Sequence, residues 1–151
     1  MFGEVSTITK LGAASTQLKC SVKLYLEGEY IPALTLAGAS EDIVRNCVDG
    51  ETSYESMKAY LIDELGFSIK GAHQDIVGAR NWLKHWSKSS GNQEIDDSDA
   101  TINLRESALT SILLAATNFL QLDPGERKEV ESCIESIAPD VREYLACQDQ
   151  C

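Results

Sequence analysis

Apolar residues recur at intervals of three and four along most of this chain, and short clusters of glycine, proline and polar residues interrupt them. From about residue 7 to 27, Leu11, Leu18, Val22, Tyr25 and Leu26 fall at helical spacing, and Gly28 follows as a stop that accepts left-handed backbone. A second helix is predicted over 30–48, with Pro32 tolerated in its first turn and Asp49-Gly50 closing it. Thr52 and Glu55 form a T-x-x-E capping box, so a third helix starts there and runs past Met57, Tyr60, Leu61 and Leu65 to Gly66. Gly71 separates a fourth, whose Ile76, Ala79, Leu83 and Trp86 share a face and which ends near Trp86.

Residues 87–100, SKSSGNQEIDDSDA, are polar and without periodicity, as expected of an exposed, mobile loop. The fifth helix, over 101–122, carries Ile102, Leu109, Ile112, Leu113, Ala116, Phe119 and Leu120 and is predicted to be the central core helix. Asp123-Pro124-Gly125-Glu126 reads as N-cap, N1 proline and N3 carboxylate of a sixth, which Pro139 breaks. The tail from Val141 forms one or two turns and frays from about 147. No alternating run is long enough for a sheet, so the expected fold is an all-α, single-domain bundle of five to seven helices spanning residues 1–151.

The length of 151 residues supports one core rather than two. A net charge of −11 argues against general binding to nucleic acid or to membrane surfaces. The five cysteines are odd in number and spread through helical segments, the pattern of a reducing compartment rather than a disulfide framework. With neither a signal-like N-terminus nor a long apolar run, a cytoplasmic location without membrane contact is expected. Against the acidic whole, residues 67–90 hold Lys70, Arg80, Lys84 and Lys88 facing only Asp75. Such a local patch would attract an RNA backbone with an affinity that falls as salt rises.

Candidate chemistry concentrates in Arg80-Asn81-Trp82-Leu83-Lys84-His85, at the predicted end of the fourth helix. Histidine exchanges protons near neutral pH, and arginine offers a permanently charged fork to phosphate oxygens. Asn81 and His85 are four apart and share a helix face, so the amide is placed to orient the imidazole. Arg80 and His85 are five apart, about 140° around an ideal helix, and need a long side chain, a distorted helix end or a second protomer to converge. Glu41 and Asp42 are candidates to face Arg80 across the bundle as structural charge partners, and Ala37, Gly38 and Ala39 form a small-residue seam suited to close helix packing or to a dimer interface.

Arg80-Asn81-x-x-x-His85 resembles the R-x4-6-H motif of the HEPN domains, small all-α modules in which a polar residue commonly follows the arginine. Many HEPN proteins are metal-independent endoribonucleases that pair two copies of the motif in a dimer. The resemblance implies His85 as the acid or base at a ribose hydroxyl or leaving oxygen, Arg80 as the stabiliser of phosphate charge and Asn81 as the orienting group. Lys70, Lys84, Lys88 and Trp86 would then contact RNA or a partner. The tyrosine that one HEPN subgroup carries in an H-x-Y extension is replaced here by Ser87. Residues 24–43 and the N-x-x-K-H of Asn81 to His85 are also similar to a group of uncharacterised bacterial all-helical proteins.

The bland reading of Arg80 and His85 is cationic side chains complementing a helix C-terminus. His73 reads as a surface histidine or a second proton carrier, and Trp82 and Trp86 as packing groups or base-stacking platforms. No H-x-x-x-H, C-x-x-C, P-loop, G-x-G-x-x-G or G-x-S-x-G occurs, so no metal or cofactor is expected. Cys147 and Cys151 lack a third ligand, and an EF-hand starting at Asp97 would have Ile102 and Ala108 where it needs Gly and Glu. Two functional classes follow: a dimeric ribonuclease, or a non-catalytic helical module that binds a protein partner or a nucleotide. A helical adaptor without ligand is the plainest case.

Overall fold

The computed structural model describes residues 3, 5–84, 101–122 and 124–148. Among them the chain is all-α, with seven helices: α1 Lys10–Leu26, α2 Tyr30–Val44, α3 Ser53–Asp63, α4 Ile69–Lys84, α5 Leu104–Leu120, α6 Pro124–Ser136 and α7 Ala138–Gln148. A 3-10 turn, Arg45–Cys47, tightens the end of α2 where a continuous α-helix was expected. No helix among the described residues is long and apolar enough to cross a membrane.

Local chemistry sets most helix ends. The Thr9 hydroxyl accepts the Gly12 N–H at 2.9 Å and starts α1 three residues later than the apolar spacing indicates. Gly28, at φ +83, stops it. The capping box of α3 is complete: Glu55 Oε2 accepts the Thr52 N–H at 2.8 Å, and Thr52 Oγ1 accepts the Glu55 N–H at 3.3 Å. Gly71 does not separate α4 from what precedes it. The Ser68 hydroxyl accepts the Gly71 N–H at 3.0 Å, placing this glycine inside the first turn. Pro139 breaks nothing either, because α6 already ends at Ser136 and Pro139 sits in the first turn of α7, where no N–H is required. The tail thus forms an eleven-residue helix instead of one or two turns.

The core lies where α1 and α2, joined by the short turn around Gly28, pack onto α5. Leu18 and Val22 of α1, Leu34 and Val44 of α2, and Ile112 and Phe119 of α5 are buried together, each contributing about 1.5–3 kcal/mol by leaving water. α5 is the central helix, as its apolar pattern predicts. Two buried hydroxyls lock the α1–α2 pair: Ser21 donates to the Ala33 carbonyl at 2.7 Å and Ser40 to the Ala14 carbonyl at 2.8 Å. A smaller cluster of Leu61, Ala72, Ile76, Val77 and Leu114 attaches α3 and α4 to α5. The small-residue seam of α2 faces inward. Ala37 is buried in the core and Gly38 lies against Arg80, while Ala39 is half-buried.

Candidate functional site: a buried charge network and a polar cleft

Arg80 stands in the last turns of α4 and its stem crosses α2 at Gly38. A Cβ on Gly38 would lie 2.9 Å from Arg80 Cδ, so the absence of that atom is what lets the side chain through. The guanidinium then donates to Glu41 Oε2 at 2.8 Å and to Asp42 Oδ1 at 2.9 Å. Arg80 is 9% exposed and the Glu41 side chain is fully buried. Glu41 Oε1 has no hydrogen-bond partner among the described residues. Both carboxylates sit in the last turn of α2, where the helix dipole disfavours negative charge, and cations from α4 and from the 3-10 turn compensate. Arg45 approaches Asp42 Oδ1 at 3.2 Å and Glu41 Oε2 at 3.8 Å, and Lys84 reaches Asp42 Oδ2 at 3.6 Å.

The two arms of the Arg80 fork therefore meet carboxylates rather than solvent, as the spacing of Glu41 and Asp42 allowed. A phosphate approaching the same N–H groups would be pushed back by both acids. Asn81 is half-buried beside Arg80, and Lys84 is exposed at the rim of the network. His85, Trp86 and Lys88 lie outside the described residues, as do the loop at 87–100, the Asp123 cap and Cys151.

Of the basic patch read along the chain, Lys70, Arg80 and Lys84 are among the described residues. Lys70 and Lys84 are fourteen residues apart on α4, about 21 Å along the axis, and Arg80 and Lys84 are offset by Glu41 and Asp42 from another helix. His73 is exposed, its Nδ1 2.6 Å from the Tyr54 hydroxyl, and so engaged away from Arg80. Trp82 is 41% exposed. Groups of three or more residues able to hold a metal ion do not occur among the described residues.

A second polar cluster escaped the sequence pattern because its members come from three helices. Arg105 on α5 donates to Asp140 Oδ1 and Glu143 Oε2 of α7, both at 2.9 Å. The Tyr25 hydroxyl of α1 approaches Asp140 Oδ1 at 3.4 Å. With Glu106 and Tyr144 these groups line a cavity of about 220 Å³. Burial, above all, pushes the Tyr25 phenol above its usual 10, and burial followed by the charge of Glu106 does the same to Tyr144. Both hydroxyls thus stay protonated in neutral solution. Comparison with models of protein families, with curated proteins and with solved structures finds no match to this chain.

Proposed function

We propose that this chain is a cytoplasmic HEPN-like helical module that works by binding a protein partner, with Arg80 holding α4 against α2. The supporting observation is the occupation of the Arg80 fork by the fully buried Glu41 at 2.8 Å and the partly exposed Asp42 at 2.9 Å. A catalytic arginine must keep N–H groups aimed at the position where charge develops. Here they are committed to protein carboxylates. The same acids disfavour a nucleotide as the ligand of this site.

A second reading, a metal-independent endoribonuclease acting as a homodimer, draws on the rim of the network. There three cations, Arg45, Arg80 and Lys84, surround two carboxylates, and Lys84 is 58% exposed immediately before His85 in the chain. In that reading Lys84 steers the RNA backbone, His85 carries the proton and Asn81 orients it.

Incubation of a mixed, structured RNA with the protein in EDTA separates the two. The binding module leaves the RNA as intact as a folded His85→Ala variant does. Cleavage by the wild type that is lost in folded His85→Ala overturns the binding reading. Arg80→Lys, checked for folding, then reports whether a guanidinium is required.

A further inference from the structure

The connection between α3 and α4 leaves apolar side chains in water. Every residue from 63 to 70 is exposed, and the run contains Leu65, Phe67 and Ile69, of which Ile69 is 68% and Leu65 54% exposed. Single exposed apolar residues are ordinary on a protein surface, but three within five positions form a patch that gains free energy when covered. Tyr60, in the last turn of α3, is exposed as well.

The turn that carries them is set by its own hydrogen bonds. Gly66, at φ +72, lets the Phe67 N–H reach back to the Leu61 carbonyl at 2.9 Å and close α3. The Ser68 hydroxyl then accepts the Gly71 N–H and opens α4. Leu61 is buried in the small cluster that joins α3, α4 and α5, so the elbow is anchored while its own apolar residues stay outside.

The segment Glu64-Leu65-Gly66-Phe67-Ser68-Ile69-Lys70 is self-complementary about Phe67. Leu65 and Ile69 stand two residues to either side of it, and Glu64 and Lys70, of opposite charge, three to either side. An isologous interface pairs residue i of one copy with residue j of the other, and j with i. A two-fold axis at Phe67 therefore sets Leu65 of each copy on Ile69 of the other and Glu64 on Lys70, with Asp63 adding a further acid next to Glu64.

We propose that this elbow is a self-association surface, on which a second copy of the chain covers Leu65, Phe67 and Ile69 and seals the rim with Glu64–Lys70 pairs. Charge selects the occupant. A membrane with anionic headgroups is repelled by Asp63 and Glu64, whereas the two charged ends of the elbow attract their counterparts on an identical chain. With so few side chains the contact belongs to the small class, below about 1,200 Å² in total, and the dimer is weak. Ile69 and Lys84 open and end α4, about 22 Å apart along its axis, so the elbow is distinct from the Arg80 network. The proposal depends on neither functional reading above, and RNA cleavage and self-association are tested separately.

Sedimentation velocity of the full chain over about 5–500 µM, at physiological salt, is the test. The wild type moves from monomer toward dimer as concentration rises. Ile69→Glu, at an exposed position and confirmed folded by circular dichroism, weakens association about tenfold or more. Glu64→Lys and Lys70→Glu each weaken it about threefold or more, because like charges then meet at both rims. Mixed in equal amounts, these two variants associate at least as tightly as the wild type, since every rim contact in the mixed pair joins opposite charges again. A wild type that stays monomeric to about 500 µM overturns the proposal and leaves the patch to an unlike partner. A dimer that Ile69→Glu leaves intact overturns it too, as does a mixture no tighter than either variant alone.

Discussion

Gly38, Arg80 and Glu41 form a chain of dependence in which each residue requires the one before it. A methyl at position 38 would press on Arg80 Cδ at 2.9 Å, so Gly38→Ala is expected to lower stability in urea by about 1–3 kcal/mol, as overpacking does. Arg80→Met costs more, about 3–5 kcal/mol, since it strands the buried Glu41 charge. The double variant Glu41→Leu/Arg80→Met recovers most of that loss, because no unpaired charge remains. A double-mutant cycle from urea unfolding measures this coupling, and simple additivity of the two single variants would refute it. Glu55 carries a pH dependence of its own. Hydrogen bonds from the Thr52 backbone, then from its hydroxyl, hold the Glu55 carboxyl below its ordinary 4.5. A lowered folded value means that the capping contribution is complete above about pH 4.5 and disappears as pH falls through the lower folded value. Wild type and Glu55→Gln should therefore differ in Tm at neutral pH and converge in acid.

Helix ends and helix attachments show where local sequence suffices. Thr52→Ala removes the hydroxyl half of the α3 box and is expected to cost about 1 kcal/mol in thermal or urea unfolding. α7 is tied differently. Its link to α5 runs through Arg105 to Asp140 and Glu143, with Tyr25 adding a longer contact to Asp140. Arg105→Ala should raise amide hydrogen exchange across Ala138–Gln148 while α1, α2 and α5 keep their protection, since these three helices supply most of the fully buried core and α7 reaches it only through the partly buried Val141 and Tyr144. Uniform loss of protection would contradict this. The same cavity holds the two phenols pushed above 10. In an absorbance titration of phenolate, Tyr25→Phe and Tyr144→Phe should each delete a component that ionises late, at pH above 10.

Across the whole molecule, a net charge of −11 sets up self-repulsion that added salt screens. Tm should rise with ionic strength near pH 7, while the coupling of Arg80 to Glu41 stays nearly constant because Glu41 is fully buried; a coupling that falls to zero in high salt would contradict the buried pair. The turn at Gly28 and the cap at Thr52 were legible in the sequence because partners three or four residues apart settle them. So was the central place of α5, whose apolar face repeats over nearly five turns. The start of α4 at Ile69 was missed because a glycine inside a first turn reads the same as a glycine between helices. Pro139 misled in the same way, since a helix start and a helix break both accept proline. At the motif, the residues that could meet Arg80 were visible, but what they do to it was not. Glu41 and Asp42 lie 39 and 38 positions earlier in the chain, and only their approach across α2 and α4 showed that the Arg80 guanidinium is paired with carboxylates. The cavity between α1, α5 and α7 had no linear signature at all, for Tyr25, Glu106 and Tyr144 belong to three helices. Helical periodicity and capping act over a few residues and are written into the sequence; burial, charge neutralisation and cavities arise from contacts between distant segments, so the tertiary structure decided them.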